Sequence, residues 1–343
     1  MEKRKTQQFN LFFQIGTLIT CSSLMLALVI SVLCFPLDAQ AASYPVRAVK
    51  GIVGYGAGGS TDVVFRAITA DAEKYLGKPI AIINKKGAGG SVGANFVVKS
   101  KPDGYTMLLT PTSSLAVYTN IQSDPAYTID EFIVVCSVTL DSFVYSSPVD
   151  KPWNSVKELI EAAKKNPNTI RFGSSGVTSH QAFGYYTLHD AYPDVQFVRV
   201  PLRGTSDVVA GMLRGDVDVA AGTYAGYKSQ VELGKMKVIG ISPYRSKALP
   251  NVSTLEEQGL SAKMIPNIRY VCVPKGTPAE VVKKIEAAFK GMCEDELVIQ
   301  RVKTLNQNLQ YNGSEKSLEL LKGQSDQFRK IIKKMGLTIK KKK

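Results

Sequence analysis

The sequence predicts an α/β protein of two lobes, each a mostly parallel sheet flanked by helices, with the pair forming a clamshell around a ligand cleft. Two observations predict it. From Tyr44 onward, short β-branched runs alternate with amphipathic ones, strand first in each pair, which is the pattern of βαβ units. Successive strand ends then carry loops rich in glycine, serine and threonine, and the second half of the chain repeats this plan without repeating its sequence. In an open parallel sheet the carboxyl ends share one edge, and ligands bind in the crevice there. A chain of 343 residues has room for one large or two medium domains.

Residues 1–41 stand apart from that pattern. Lys3, Arg4 and Lys5 form a positive head, Leu11 to Phe35 is mostly apolar and uncharged, and Ala39-Gln40-Ala41 presents small residues where a signal peptidase cuts. This reads as a secretory signal peptide and a periplasmic destination, with an uncleaved membrane anchor as the alternative. The leader carries three basic and two acidic side chains, so nearly all of the net charge of +14 stays with the remainder. That excess favours anionic ligands. Lys333, Lys334 and Lys340 to Lys343 read as a solvated tail, and no nucleic-acid partner is expected. Cys136, Cys272 and Cys293, the cysteines beyond the leader, are odd in number and set in apolar surroundings, which predicts core residues and no disulfide framework.

Each element has its own justification. Val46–Val53 is a strand leading into Gly54-Tyr55-Gly56-Ala57-Gly58-Gly59-Ser60-Thr61-Asp62 and a helix near Thr61–Leu76. Glycines there permit backbone angles closed to other residues, and Ser60, Thr61 and Asp62 are helix starters. Ile80–Ile83 leads into Gly87 to Ser91 and a helix to about Ser100; Tyr105–Thr110 ends in Pro111-Thr112-Ser113-Ser114. Apolar runs Phe132–Val138 and Phe143–Ser146 precede Lys151-Pro152-Trp153, which reads as the crossing into the second lobe. The predicted division is residues 42–147 with 266–343 for one lobe and 148–265 for the other. Ser155 with Glu158 forms a capping box, and Ile170–Phe172 ends in a hydroxyl-rich loop, Gly173 to His180. Phe197–Val200 leads to Arg203-Gly204-Thr205, and Val217–Ala221 to Gly222-Thr223-Tyr224. Lys237–Ile241 and Ile268–Val273 are returning strands; Thr277-Pro278 predicts a strong helix start, and a last helix runs over about Ser314–Met335.

The chemical motifs narrow the function. Gly54-x-Gly56-x-x-Gly59 satisfies a dinucleotide fingerprint, but the second strand ends in Asn84-Lys85-Lys86 where that fingerprint needs an acid for the ribose. A helix start is instead a general anion site, its amides unpaired and its dipole positive. His180 and His189 lie nine residues apart, on opposite faces of a helix, so they cannot share a metal through it. Ser174 and Ser175 lack a nucleophile elbow, and an orienting acid for a serine hydrolase has no candidate. No catalytic residue, metal or cofactor is expected. Asp216 and Asp218 read as a solvated turn. Asp62 has two readings: it complements the helix dipole, or it faces the cleft and holds a ligand ammonium or a water. Arg203 reads as surface; Arg269 stays open between surface and cleft, its guanidinium suited to a carboxylate. Tyr55, Tyr224 and Tyr227 could wall a pocket or pack in the core.

The order of Tyr44-Pro45, Gly54 to Asp62, Asn84 to Ala94, Lys101-Pro102-Asp103-Gly104-Tyr105-Thr106, Val200 to Gly204, Arg245 to Pro250 and Pro274 to Pro278 resembles the periplasmic substrate-binding proteins of tripartite tricarboxylate transporters, the Bug family. The resemblance implies a type II periplasmic-binding fold, a small carboxylate ligand (a di- or tricarboxylate, an aromatic carboxylate or an acidic amino acid), and delivery to a two-component membrane permease. It also implies that the loops matching Gly54–Asp62 and Ser174–His180 hold carboxylate groups through amides, hydroxyls and water. The expected ligand contacts are therefore Tyr55, Gly58, Gly59, Ser60, Thr61 and Asp62 in the first loop, with Thr112, Ser113 and Arg269 beside it. In the second lobe they are Ser174, Ser175, Thr178, Ser179 and His180, joined by Gly204, Thr205 and Tyr224. Ala57, Ile83 and the neighbourhood of Gly222 depart from the family's usual Pro, acid and Asp or Asn. A secreted esterase using Ser175 and His180, and a receptor feeding a membrane sensor, are the rival readings. A monomer is the default.

Overall fold

The computed structural model describes residues 44–176 and 179–339. The predicted signal peptide, the lysines from 340 onward, and Thr178 of the second loop lie outside the described residues. From Pro45 the chain packs as one compact unit that holds two sheets.

The first sheet is built from β1 (Val49–Val53), β2 (Ile80–Asn84), β3 (Thr106–Pro111), β4 (Phe132–Asp141), β10 (Asn267–Pro274) and β11 (Leu309–Asn312), in the order β11-β4-β10-β3-β1-β2. The second holds β5 (Phe143–Pro148), β6 (Arg171–Ser174), β7 (Val198–Pro201), β8 (Val219–Thr223) and β9 (Met236–Ser242), in the order β7-β6-β8-β5-β9. Helices of eight residues or more are α1 (Ser60–Thr69), α2 (Ser91–Val98), α3 (Val156–Lys165), α4 (Ala182–Ala191), α5 (Thr205–Arg214), α6 (Ala279–Glu294), α7 (Glu296–Thr304) and α8 (Ser314–Lys334). Both sheets are mixed rather than mostly parallel. β1, β2 and β3 run parallel, as do β6, β7 and β8, whereas β4, β5, β9, β10 and β11 pair antiparallel to their neighbours. The parallel part of each sheet is the part that carries the glycine and hydroxyl loops, so those loops still share one edge.

The chain leaves the first sheet earlier than expected. β5 pairs with β8 and β9, so the crossing is the single residue Ser142, not Lys151-Pro152-Trp153. Residues 243–266 return. Ser142 ties the two crossings together: its hydroxyl donates to the Tyr244 carbonyl at 2.8 Å and accepts from the Tyr244 amide at 3.2 Å. Half of the capping box at Ser155 forms: the hydroxyl accepts from Glu158 N at 3.1 Å, whereas the Glu158 carboxylate takes the amide of Asn154, one residue before the cap. Thr277 does not cap α6; it is buried, donates to the Pro274 carbonyl, and the helix starts after Pro278. Cys136, Cys272 and Cys293 are free and buried, as core residues.

Asp218 corrects the solvated-turn reading. It is buried, and its carboxylate takes three bonds from Arg171 and a salt bridge from Lys151 at 2.9 Å. Burial opposes its charge, but these partners outweigh that and bring its pKa down to about 2. Asp216, by contrast, is exposed and pairs with Arg214.

One helix belongs to both cores. α4 presents Ala182, Phe183 and Tyr186 to a cluster that includes Phe328 and Ile332 of α8 and Leu115 of the first lobe. Its other face puts Leu188 into the core of the second sheet. The lobes therefore meet through packed side chains as well as through two strands of chain.

Candidate functional site

The first loop is shaped by its own packing before any ligand is considered. A Cβ at Gly54 would lie 2.4 Å from the Gly90 carbonyl oxygen, so only glycine lets the loops after β1 and β2 cross so closely. Gly58 turns at φ +76°, a left-handed angle that side chains disfavour. Outward from Gly56 and Gly58 the space is open, with nothing within 4 Å of an added Cβ. Gly59 then leads into α1 in extended conformation with no side-chain cap.

Asp62 faces inward. Its carboxylate accepts from Gly58 N at 2.9 Å, Arg66 Nε at 3.0 Å and Asn84 Nδ2 at 2.8 Å. The same Asn84 amide reaches the Tyr55 carbonyl at 3.0 Å. Burial works against the Asp62 charge, yet the Arg66, Asn84 and Gly58 bonds prevail and hold it below the usual carboxylate range. Of the two sequence readings, neither is complete: the carboxylate staples its own loop to the end of β2. Asn84, standing where a dinucleotide site would need an acid, is the donor that makes this possible.

Tyr55 and Ser113 form a brace. The Tyr55 hydroxyl lies 2.7 Å from the Gly89 carbonyl, 3.0 Å from Ser113 Oγ and 2.9 Å from Ser114 Oγ, joining the loops after β1, β2 and β3. Thr112 is buried away from that edge, its hydroxyl between Ile268 and Gln324. It is positioned for packing against α8, unlike the sequence expectation.

The start of α1 remains available. Val63 N makes the first return bond, to Gly59 O at 3.0 Å, and among the described residues the amides of Ser60, Thr61 and Asp62 have no backbone acceptor. Ser60 is exposed, and its hydroxyl accepts from Arg269 Nη2 at 2.6 Å. Arg269 itself is only 1% exposed; its Nη1 is held by Thr139 Oγ1 at 3.0 Å and by the Asp141 carboxylate. The arginine left open by the sequence is thus buried and paired, reaching the helix start through a serine.

In the second lobe, Ser174 Oγ and Ser179 Oγ both donate to the Gly176 carbonyl, at 3.0 and 3.1 Å, and Ser179 Oγ accepts from Ala182 N at the start of α4. Ser175 is partly exposed between them. Gln181 Nε2 donates to Thr205 Oγ1 at 2.8 Å, which ties this loop to the one after β7, where Gly204 precedes α5. Sequence reading passed over Gln181, since a glutamine beside a helix start carries no motif. Tyr224 follows β8 partly exposed, whereas Tyr227 is fully buried on the Ala221 carbonyl.

His180 belongs to the seam between the lobes. Its ring sits 4.4 Å from that of Phe143 and 5.0 Å from that of Phe328, and its Nε2 lies 2.8 Å from the Ile265 carbonyl. A carbonyl only accepts, so Nε2 carries the proton and Nδ1 does not. Ser175 makes no bond to this ring among the described residues, so a serine–histidine pair is not assembled. Burial drives the His180 pKa down to about 4, with the Ile265 bond opposing. The folded state therefore binds this proton less well than the unfolded chain, at about 6.5, and stability falls as pH drops from about 6.5 to 4. Full burial makes the expected loss from this group about 3 kcal/mol. Urea titrations at stepped pH check it: His180→Phe, which keeps a ring, should show a shallower decline over that window than the parent. An identical decline would refute the assignment.

Comparison with known proteins agrees with this architecture. The profile of the tripartite tricarboxylate transporter family receptor matches residues 64–337. A UPF0065 protein in the gbd 5′ region of Cupriavidus necator is 32% identical over 307 residues, 88% of this chain and 91% of that one. Among solved structures, the periplasmic binding protein BugD is 27% identical with a TM-score of 0.75, covering 87% of this chain and 100% of its own. MatC from Rhodopseudomonas palustris, solved with bound malate, is 25% identical with a TM-score of 0.72, over 84% of this chain and 100% of that one. The profile match spans far more than half of the sequence and takes in most of both sheets, and the chain belongs to the tripartite tricarboxylate transporter receptor family.

Proposed function

We propose that this protein is an extracytoplasmic receptor that captures a small carboxylated solute between its lobes and delivers it, unaltered, to a tripartite tricarboxylate-type permease. The observation that carries the reading is the first turn of α1, where the amides of Ser60, Thr61 and Asp62 find no backbone acceptor among the described residues and the arginine-backed hydroxyl of exposed Ser60 stands beside a glycine loop. Such a turn presents donors and the positive end of a helix dipole, and its one carboxylate, Asp62, is already held by Gly58, Arg66 and Asn84. The first-loop contacts are then the amides of Ser60, Thr61 and Asp62 with the Ser60 hydroxyl, while the Gly58 and Gly59 amides are spent on Asp62 and Gly56, and Tyr55, Ser113 and the Asp62 carboxylate hold the loop in shape. Opposite them, Ser175, Ser179, Gly204 and Thr205 supply the second set. The malate bound by MatC supports a dicarboxylate of about that size, and the family assignment together with the apolar leader supports a periplasmic location.

Calorimetry and thermal shift across malate, adipate, citrate, aspartate and benzoate test this. A true ligand at 100 times its Kd should stabilise the fold by about 2.7 kcal/mol, seen as a rise in Tm of about 5 °C. Silence from every carboxylate, or turnover of an ester, would overturn the proposal.

A further inference from the structure

Asp141, Arg269 and Ser60 form a chain that ends at the helix start. The Asp141 carboxylate, itself anchored by Asn308 N at 2.8 Å, holds Arg269 Nη1; Arg269 Nη2 donates to Ser60 Oγ; and Ser60 is exposed while both charged partners are buried. Arginine can only donate, so the Ser60 oxygen is the acceptor in that bond and its own proton is free to point elsewhere. A second fact comes from the guanidinium. Among the described residues Arg269 Nε has no hydrogen-bond partner although the residue is 1% exposed, and Nε shares an edge of the guanidinium with the Nη2 that holds Ser60. A buried donor without an acceptor is unfavourable, and an acceptor arriving beside Ser60 relieves it. The ion pair is also an oriented dipole, negative at Asp141 and positive toward α1, fixed in a medium of low polarity where such fields act strongly.

We propose that Arg269 is a positioning residue for the ligand carboxylate, acting through Ser60, whose hydroxyl it polarises into a charge-assisted donor at the head of α1. This rests on the carboxylate reading above and adds how that reading gains its preference for charge. The site should prefer an ionised carboxylate over a neutral carboxamide at this end, because only the charged group profits fully from a polarised donor.

The test uses the full chain and titration calorimetry with malate, adipate, citrate, aspartate and benzoate, each compared with a derivative amidated at one carboxylate. Ser60→Ala removes the relay and leaves the Arg269–Asp141 pair intact. Arg269→Gln alone would strand a buried Asp141, so it is combined with Asp141→Asn, which keeps the pair neutral. Ser60→Ala should weaken the bound carboxylate roughly tenfold, as expected for one charge-assisted bond, and weaken the amide far less. Ser60→Thr should restore most of the loss. The Arg269→Gln/Asp141→Asn pair should weaken binding by a similar factor in the parent and by little in the Ser60→Ala background. Additive losses, or equal losses for carboxylate and amide, would overturn the relay while leaving the receptor reading intact. If the parent binds none of the five, both fall together.

Discussion

Asp62→Ala should weaken ligand binding on the order of 100-fold and lower stability by about 2 to 3 kcal/mol, although the carboxylate is buried beneath its loop. The stability term follows from its three partners. Gly58 N and Asn84 Nδ2 lose a charged acceptor in a part-buried setting, and hydrogen bonds to charged groups are worth roughly 1.5 to 3 kcal/mol, partly regained by solvent at the exposed Arg66. The binding term follows from order. Without the staple, the loop from Tyr55 to Gly59 must be fixed at the moment of binding, and fixing each residue's backbone costs about 1 to 2 kcal/mol. Two such residues already amount to a loss on the order of 100-fold. Chemical denaturation and calorimetry read the two effects separately. The alternative role, a direct contact to a ligand ammonium, makes a different prediction: losses confined to amino-acid ligands. Equal losses for malate and aspartate support the staple; a loss seen only for aspartate would refute it.

That one carboxylate shows what could be read from the sequence and what could not. The strand, glycine loop and helix start around Asp62 were legible, because turn chemistry and helix caps are local. Asn84 and Arg66, which decide where the carboxylate points, were not, since Asn84 arrives through the pairing of β1 with β2. Arg269 is a similar case: its partners come from β4 and from α1, and a lone arginine on a strand gives no sign of either. The crossing at Ser142 was missed for another reason. β4 and β5 are two apolar runs separated by one residue, and only hydrogen bonding to distant strands assigns them to different sheets. His180 was placed at the ligand by its loop, while its ring is governed by Phe143 and Phe328, far apart in sequence.

Phe328→Ala should destabilise the protein by about 3 to 5 kcal/mol, the range for truncating a fully buried aromatic. The number is less telling than the way the transition should change. Phe328 stands on α8, whose helix packs on the first sheet, yet its ring meets Phe183 at 4.6 Å and His180 at 5.0 Å, both from the second lobe. Lys334 on the same helix pairs with Asp190 at the far end of α4. The seam is therefore a side-chain contact that makes unfolding of one lobe unfavourable for the other, beyond the joined crossings at Ser142 and Tyr244. Removing the ring should let the lobes unfold separately, so that calorimetry records a broadened or double transition where the parent gives one. Denaturation by urea should show the same loss as a lower slope. The proposed closure of the lobes on a ligand would use this seam too, because α4 begins at the loop after β6 and its Asp190 pairs with Lys334 of α8. A variant with looser contact there should bind its carboxylate more weakly through a smaller population of the closed form, without any change at α1. Phe328→Leu, which keeps an apolar side chain of moderate size, should recover most of both effects. A variant that loses stability but still melts in one sharp step, with parental affinity, would show that the lobes are coupled through the crossings alone.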